Sequence, residues 1–242
     1  MARAMARGWG DPVLCTDSGS GRAAALAGEL GGEAVASNAE LAERADLVVL
    51  CHKPAQLEAV AGELALAPAR PVASVLGGVS SAALTAAYPD RPVFRLMPNT
   101  PVEVRRGVIA YAPAAGVDPE IEALVRALLE RLGSVVQLPD EAMEAATATA
   151  GVGPAYFALM VEAQAAAAAA RGLSPALASE LVVETMAGTA ALLAARGNDA
   201  IEVRREVTSP GGSTERGLAA LEHRDIRAAF DEAFVAVVGG DR

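Results

Sequence analysis

Apolar and polar positions change rhythm near residue 140. Before that point, short runs rich in β-branched and other apolar residues read as strands: Val13–Thr16, Leu47–Cys51, Val72–Leu76, Val93–Leu96, Val108–Tyr111 and Val135–Leu138. Between them, Arg22–Leu30, Ala55–Leu64, Ser81–Ala87 and Pro119–Leu132 have the length and apolar spacing of helices that cover a sheet. Strands alternating with helices need crossover connections. The pattern therefore predicts a largely parallel sheet covered on both faces, a doubly wound, Rossmann-like α/β domain over residues 1–140. From about Asp140 the strand rhythm stops. Glu141–Ala150, Pro154–Arg171, Pro175–Arg196 and Ser213–Leu221 read as helices, with breakers or caps at Gly151/Gly153/Pro154, Gly172/Ser174/Pro175 and Gly197/Asn198. Residues 141–242 are predicted to be an all-α domain.

Composition sharpens this division. The 242 residues suffice for two small domains. The C-terminal helices are dominated by Ala, contain Gly188 and few aromatics, and would be marginal alone, so they are expected to pack against a second copy in a homodimer or higher homo-oligomer. A monomeric helical cap is the alternative. With 20 Lys+Arg against 30 Asp+Glu, a net charge of −10, bulk attraction to nucleic acid or to an anionic membrane is not expected; a small-molecule substrate or a protein partner is. The apolar stretch Ala155–Ala170 contains Glu162 and Gln164 and is short for a bilayer span, and the N-terminus has no signal-peptide pattern, so a cytoplasmic protein is expected. Cys15 and Cys51 lack CxxC spacing and are expected to be buried, reduced thiols. No metal site is expected, and His52 and His223 form no catalytic arrangement; His52, just past a strand, is the better placed to meet a ligand.

Three kinds of segment carry candidate chemistry. Val207-Thr208-Ser209-Pro210-Gly211-Gly212-Ser213-Thr214-Glu215 sets a Pro-Gly-Gly turn directly before a helix. Uncovered amides at Gly211 and Gly212, the first helical turn, and the hydroxyls of Ser209, Ser213 and Thr214 could seat a carboxylate; Ser213 or Thr214 could equally be a plain N-cap. Strands ending in Lys53-Pro54, Gly77-Gly78 and Met97-Pro98-Asn99 put small, polar or donor groups at the carboxyl edge of a parallel sheet, where such folds bind ligands. Bland readings stand beside these, a solvated Lys53 and a turn-forming Asn99. Asn38, before Ala39-Glu40-Leu41, is expected to be a helix N-cap. After Val13–Thr16 comes Asp17-Ser18-Gly19-Ser20-Gly21-Arg22, where a dinucleotide fold meets the adenosine ribose. Asp17 favours NAD, whereas Ser18, Ser20 and Arg22 favour the 2′-phosphate of NADP; the balance leans to NADPH, with NADH possible.

The Val207–Glu215 run resembles the V-T-S-P-G-G-x-T loop of pyrroline-5-carboxylate reductases. Four further blocks are similar in order and spacing: Ala45–Pro54 to A-D-V-V-x-L-x-V-K-P, Leu76–Ser80 to A-G-V-S, Arg95–Pro101 to R-x-M-P-N-T-P, and Ala148–Tyr156 to A-L-S-G-S-G-P-A-Y. The resemblance covers nearly the whole chain. It implies NAD(P)H-dependent reduction of 1-pyrroline-5-carboxylate to L-proline. It also implies a cofactor held by Ser18, Ser20, Arg22, Asn38 (near the adenine), Lys53, Pro54, Gly77, Gly78, Met97, Pro98 and Asn99. The substrate carboxylate would be held by the Gly211, Gly212, Ser213 and Thr214 amides and the Ser209 hydroxyl, with Thr214 as the catalytic residue that assists protonation of the ring nitrogen.

The chain departs from the family in places. The family opens with a strand such as I-G-F-I-G and then G-x-M-A; this chain begins at Met1-Ala2-Arg3, matching only the following helix. The expected sheet therefore lacks its first strand here, and the true protein is expected to start upstream. Ala150 and Val152 stand where the family has serines, and Asp199–Glu206 lacks an expected proline. Two other readings follow: a reductase of another small cyclic imine, and a non-catalytic oligomerising subunit that has lost cofactor binding.

Overall fold

The computed structural model describes residues 1–239. It divides into two compact units, Met1–Pro154 and Ala155–Arg242. In the first unit, helix α1 (Ala2–Trp9) leads to strand β1 (Leu14–Cys15), α2 (Arg22–Leu30), β2 (Glu33–Ala34), α3 (Asn38–Arg44) and β3 (Val48–Leu50). Then come α4 (Leu57–Leu64), β4 (Val72–Ser74), α5 (Ser81–Ala87), β5 (Val93–Pro98), β6 (Gly107–Pro113), α6 (Pro119–Glu130), β7 (Gly133–Gln137) and α7 (Met143–Ala146). Strands β3 to β7 form one sheet in sequential order, parallel except for the antiparallel β5–β6 pair, while β1 and β2 pair in parallel as a separate two-stranded sheet.

Side-chain alternation along the strands explains why helices cover both faces. Val48, Leu50, Val72 and Val93 point into one cluster with Leu57 and Leu64 of α4 and Leu84 of α5. Their neighbours Ala73 and Phe94 point the other way, joining Ile109, Tyr111, Met5 of α1 and Val125 and Leu129 of α6. Ala110 and Ala112 of β6 meet Met143 of α7, a third small cluster. Tight backbone approach fixes β6 against β7: a Cβ on Gly133, whose φ is 143°, would lie 2.1 Å from the Gly107 carbonyl oxygen. Only glycine fits there.

Periodicity did not reveal β2 or the complete α1 helix, both short, and α3 was marked only by its expected cap. The cap of α3 is also displaced from its expected position. Ser37, in extended conformation, accepts from the Glu40 amide through Oγ at 3.1 Å, and Asn38 is the first helical residue. Beyond α7, Thr147–Gly151 is a π-helix, a rare form that recurs at functional positions. Hydroxyls of Thr147 and Thr149 donate to the carbonyls of Met143 and Ala145, a back-bonding pattern that bends helices. The expected break near Gly151–Pro154 is thus a change of helical winding. Cys15 is half-buried; Cys51 is exposed as a residue, yet burial pushes its thiol up to about 11, and both are free thiols.

The second unit consists of α8 (Gly153–Ala169, which begins at the end of the first unit), α9 (Pro175–Ala195), α10 (Ala200–Glu206), α11 (Ser213–His223) and α12 (Ile226–Val238). Helix α10, absent from the sequence reading, forms without the missing proline because Asp199 Oδ1 accepts from the Glu202 amide at 2.9 Å. Apolar residues spread around α8 and α9 rather than along one stripe, and Phe157, Leu159, Leu177, Leu181 and Val183 are exposed. Although Ala155–Ala170 stood out in the sequence, α9 is the one helix among the described residues long and apolar enough to cross a membrane by length and composition. Helices apolar all round are made to be covered.

Candidate functional site

Three parallel strands deliver the expected cofactor residues to one sheet edge. Because β3, β4 and β5 run parallel, Lys53-Pro54, Gly77-Gly78 and Met97-Pro98-Asn99 all lie at their carboxyl ends. Lys53 precedes the 3₁₀ turn Pro54–Gln56, where its amide donates to Gln56 Oε1 at 3.2 Å; its ammonium group has no partner among the described residues. Gly77 and Gly78 are exposed, a Cβ on either would meet open space, and Gly78 has φ of 74°. Beside Lys53, His52 sets Nδ1 2.9 Å from the Lys53 carbonyl oxygen, while its Nε2 is buried without a partner.

Asn99 is 7% exposed and bonded to the fold through each of its polar groups. Its Oδ1 accepts from the Val108 amide at 2.8 Å, its Nδ2 donates to the Ala150 carbonyl at 3.1 Å, its amide donates to the Val108 carbonyl and its carbonyl accepts from the Val102 amide. The side chain therefore ties the end of β5 both to β6 and to the π-helix. Gly151 follows the same logic, since a Cβ there would meet Met97 Sδ at 3.1 Å. Two sequence blocks about fifty residues apart, Met97–Asn99 and Thr147–Gly151, thus form one junction. Nothing local in either block announces it.

The Asp17–Arg22 loop follows β1 and opens α2. Asp17 accepts four hydrogen bonds: Oδ1 from the Gly19 and Ser20 amides at 2.7 and 2.9 Å, Oδ2 from Ser20 Oγ at 3.0 Å and the Ala23 amide at 2.7 Å. The Ala23 amide contributes most to holding this carboxyl at about 2, well below the usual range. Ser20 Oγ in turn accepts from Arg22 Nε at 2.9 Å, and the two terminal nitrogens of the exposed Arg22 have no partner among the described residues. Ser18 is also exposed. Asn38 is engaged elsewhere, donating from Nδ2 to Glu63 Oε2 at 2.6 Å.

In the second unit, the Val207–Thr214 loop is partly occupied by its own residues. The Gly211 amide donates to Glu215 Oε2 at 2.7 Å, the Gly212 amide to the Ser209 carbonyl at 3.0 Å, and Arg216 Nη1 donates to the Gly211 carbonyl. Gly212 occupies the cap position of α11 without a side-chain cap, so neither Ser213 nor Thr214 plays that part. Consequently the Ser213 and Thr214 amides and the hydroxyls of Ser209, Ser213 and Thr214 are unpaired among the described residues, and all three side chains are exposed. That is a donor cluster for an anion. Glu215, unremarked in the sequence, is a competing internal carboxylate.

Comparison with known proteins places this geometry in context. The family described as pyrroline-5-carboxylate reductase dimerisation matches residues 140–241, and that described as NADP oxidoreductase coenzyme F420-dependent matches residues 1–78. A pyrroline-5-carboxylate reductase of Synechocystis sp. is 39% identical over 197 residues, covering 81% of this chain and 74% of that protein. The Pseudomonas aeruginosa enzyme of the same name is 36% identical over 228 residues, 93% of this chain and 84% of that one. Among solved structures, the 1-pyrroline-5-carboxylate reductase of Streptococcus pyogenes has a TM-score of 0.89 at 29% identity, over 99% of this chain and 93% of that one.

Proposed function

Since the chain belongs to the pyrroline-5-carboxylate reductase family, we propose that it reduces 1-pyrroline-5-carboxylate to L-proline with NADPH, acting in the cytoplasm as a homo-oligomer assembled through its helical unit. The observation that carries the substrate half of this reading is the uncapped start of α11, with two unpaired amides and three unpaired hydroxyls.

A dinucleotide with a 2′-phosphate fits the donors present. Arg22 offers two unpaired guanidinium nitrogens and Ser18 a hydroxyl, both on exposed side chains. Lys53 adds an unpartnered cation at the edge where Gly77 and Gly78 leave backbone uncovered. Asn99 holds Met97 and the π-helix in place through its bonds to Val108 and Ala150, with one Nδ2 hydrogen left to meet the cofactor. NADPH, when bound, supplies the hydride that reduces the imine carbon.

The protein's remaining tasks are to hold the substrate carboxylate and manage one proton. The Ser213 and Thr214 amides and the Ser209 hydroxyl take the carboxylate; the Thr214 hydroxyl hydrogen-bonds the ring nitrogen and assists its protonation. The Gly211 amide joins them only when Glu215 releases it. Exposed apolar residues on α8 and α9 are covered by the partner subunit, which accounts for a helix as apolar as α9 in a soluble enzyme.

The test is NADPH oxidation by the purified chain with 1-pyrroline-5-carboxylate, beside a panel of cyclic imines lacking the carboxylate. Preference for the carboxylated imine, with proline as product, is expected. Equal turnover of imines without a carboxylate would point to the wider imine reductase reading that Ala150 and Val152 permit, and no turnover of any imine would sink the assignment.

A further inference from the structure

An acid at the end of a nucleotide-binding strand usually accepts the ribose hydroxyls of NAD. Asp17 stands at that place, yet its capacity is spent. A carboxylate can accept about four hydrogen bonds, and Asp17 receives four: two amides on Oδ1, one amide and one hydroxyl on Oδ2. Nothing remains to accept from a ribose diol. The carboxylate instead fixes the loop, and it fixes it in a particular sense. Ser20 has one hydroxyl proton; because that proton goes to Asp17, the oxygen's lone pairs face Arg22 and receive its Nε. Arg22 is thereby tethered by its inner nitrogen, with both outer nitrogens unpaired.

We propose that Asp17 is a positioning residue for NADPH: through Ser20 it orients Arg22 toward a phosphate monoester, so that the acid at this strand end builds selectivity for NADP instead of NAD. The inference rests on the cofactor site of the reductase reading, and it reverses the ordinary expectation for such an acid. Removing an acid that holds ribose should favour NADPH. Removing Asp17 should harm it.

The experiment measures binding of adenosine 2′,5′-bisphosphate and of 5′-AMP to the full chain by calorimetry, with steady-state kinetics on NADPH and NADH alongside. The wild-type chain is expected to prefer the bisphosphate. Asp17→Asn should lower that preference about ten- to hundredfold, the scale of losing charge-assisted hydrogen bonds. Ser20→Ala keeps the three backbone bonds to Asp17 and should lower it similarly, which covers the case in which Asp17→Asn folds poorly. If Asp17 works through Arg22, Asp17→Asn should add little to Arg22→Ala in the double variant. A preference that rises in Asp17→Asn, losses equal for both ligands, or additive losses in the double variant would each overturn the proposal, as would a wild-type chain with no preference. Selective bisphosphate binding without any imine reduction would leave this inference standing and remove the reductase reading; imine reduction with a preference untouched by Asp17→Asn would do the reverse.

Discussion

Replacing Asn99 by Ala tests whether the junction between β5, β6 and the π-helix is held by one side chain. The substitution leaves the Val108 amide without its acceptor and the Ala150 carbonyl without its donor. Each polar group stranded out of water costs about 1–3 kcal/mol. Both groups lie in partly buried surroundings, so a combined loss near the lower half of that range, about 2–4 kcal/mol, is expected. For a unit of this size that corresponds to a fall in melting temperature of about 4–16 °C. Differential scanning calorimetry measures the size of the effect. Hydrogen exchange read by mass spectrometry then locates it: peptides spanning β6 and residues 147–152 should lose protection while those of α9 do not. Asn99→Asp restores the acceptor for Val108 but turns a carboxylate toward the Ala150 carbonyl, so it should not rescue the loss at neutral pH. An Asn99→Ala variant melting within about 1 °C of wild type would show that this junction does not depend on the side chain and leave Asn99 as a plain turn residue.

Other outcomes follow from separate observations. Thr214→Ala should lower turnover about a hundred- to ten-thousandfold with unchanged circular dichroism, because the side chain is exposed and makes no contact that the fold needs; unaltered turnover removes Thr214 from catalysis. Asp17, held at about 2, gives stability that is present above its unfolded pKa near 4 and lost as pH falls toward 2. The melting difference between wild type and Asp17→Asn should therefore be full at pH 6 and shrink between about pH 4 and 2, whereas a constant difference would mean that its charge is not what the loop uses. Gly133→Ala should yield little soluble protein, since its Cβ would sit 2.1 Å from the Gly107 carbonyl oxygen; normal solubility and melting would contradict the β6–β7 packing. Leu181→Glu, on the exposed apolar surface of α9, should shift the protein toward monomer in light scattering, and an unchanged mass would place the interface elsewhere.

The elements with strong periodicity were legible in the chain. Arg22–Leu30 and Ser81–Ala87 form as helices over the stretches expected, and all six expected strands form. Helix α12 (Ile226–Val238), thirteen residues long, also lay outside the expected elements; the rest of what escaped was short or locally disguised. The two residues of β2 carry no period, α10 lacks the proline that would have marked it, and the π-winding of Thr147–Gly151 has the same residue pattern as an α-helix. The cap of α3 moved one residue because Ser37 takes the extended conformation that a cap requires.

The sequence by itself determined which segments alternate, where helices replace strands and which loops carry donors, because these depend on neighbours within a few positions. Only the tertiary structure decided how those donors are spent. Asp17 is saturated by its own loop, Asn99 reaches Ala150 across 51 positions, and Glu215 takes the Gly211 amide expected for a substrate. Hydrogen-bonding capacity is finite, and residue type states how much a group has. Which partner uses it is fixed by which atoms the fold brings within about 3 Å.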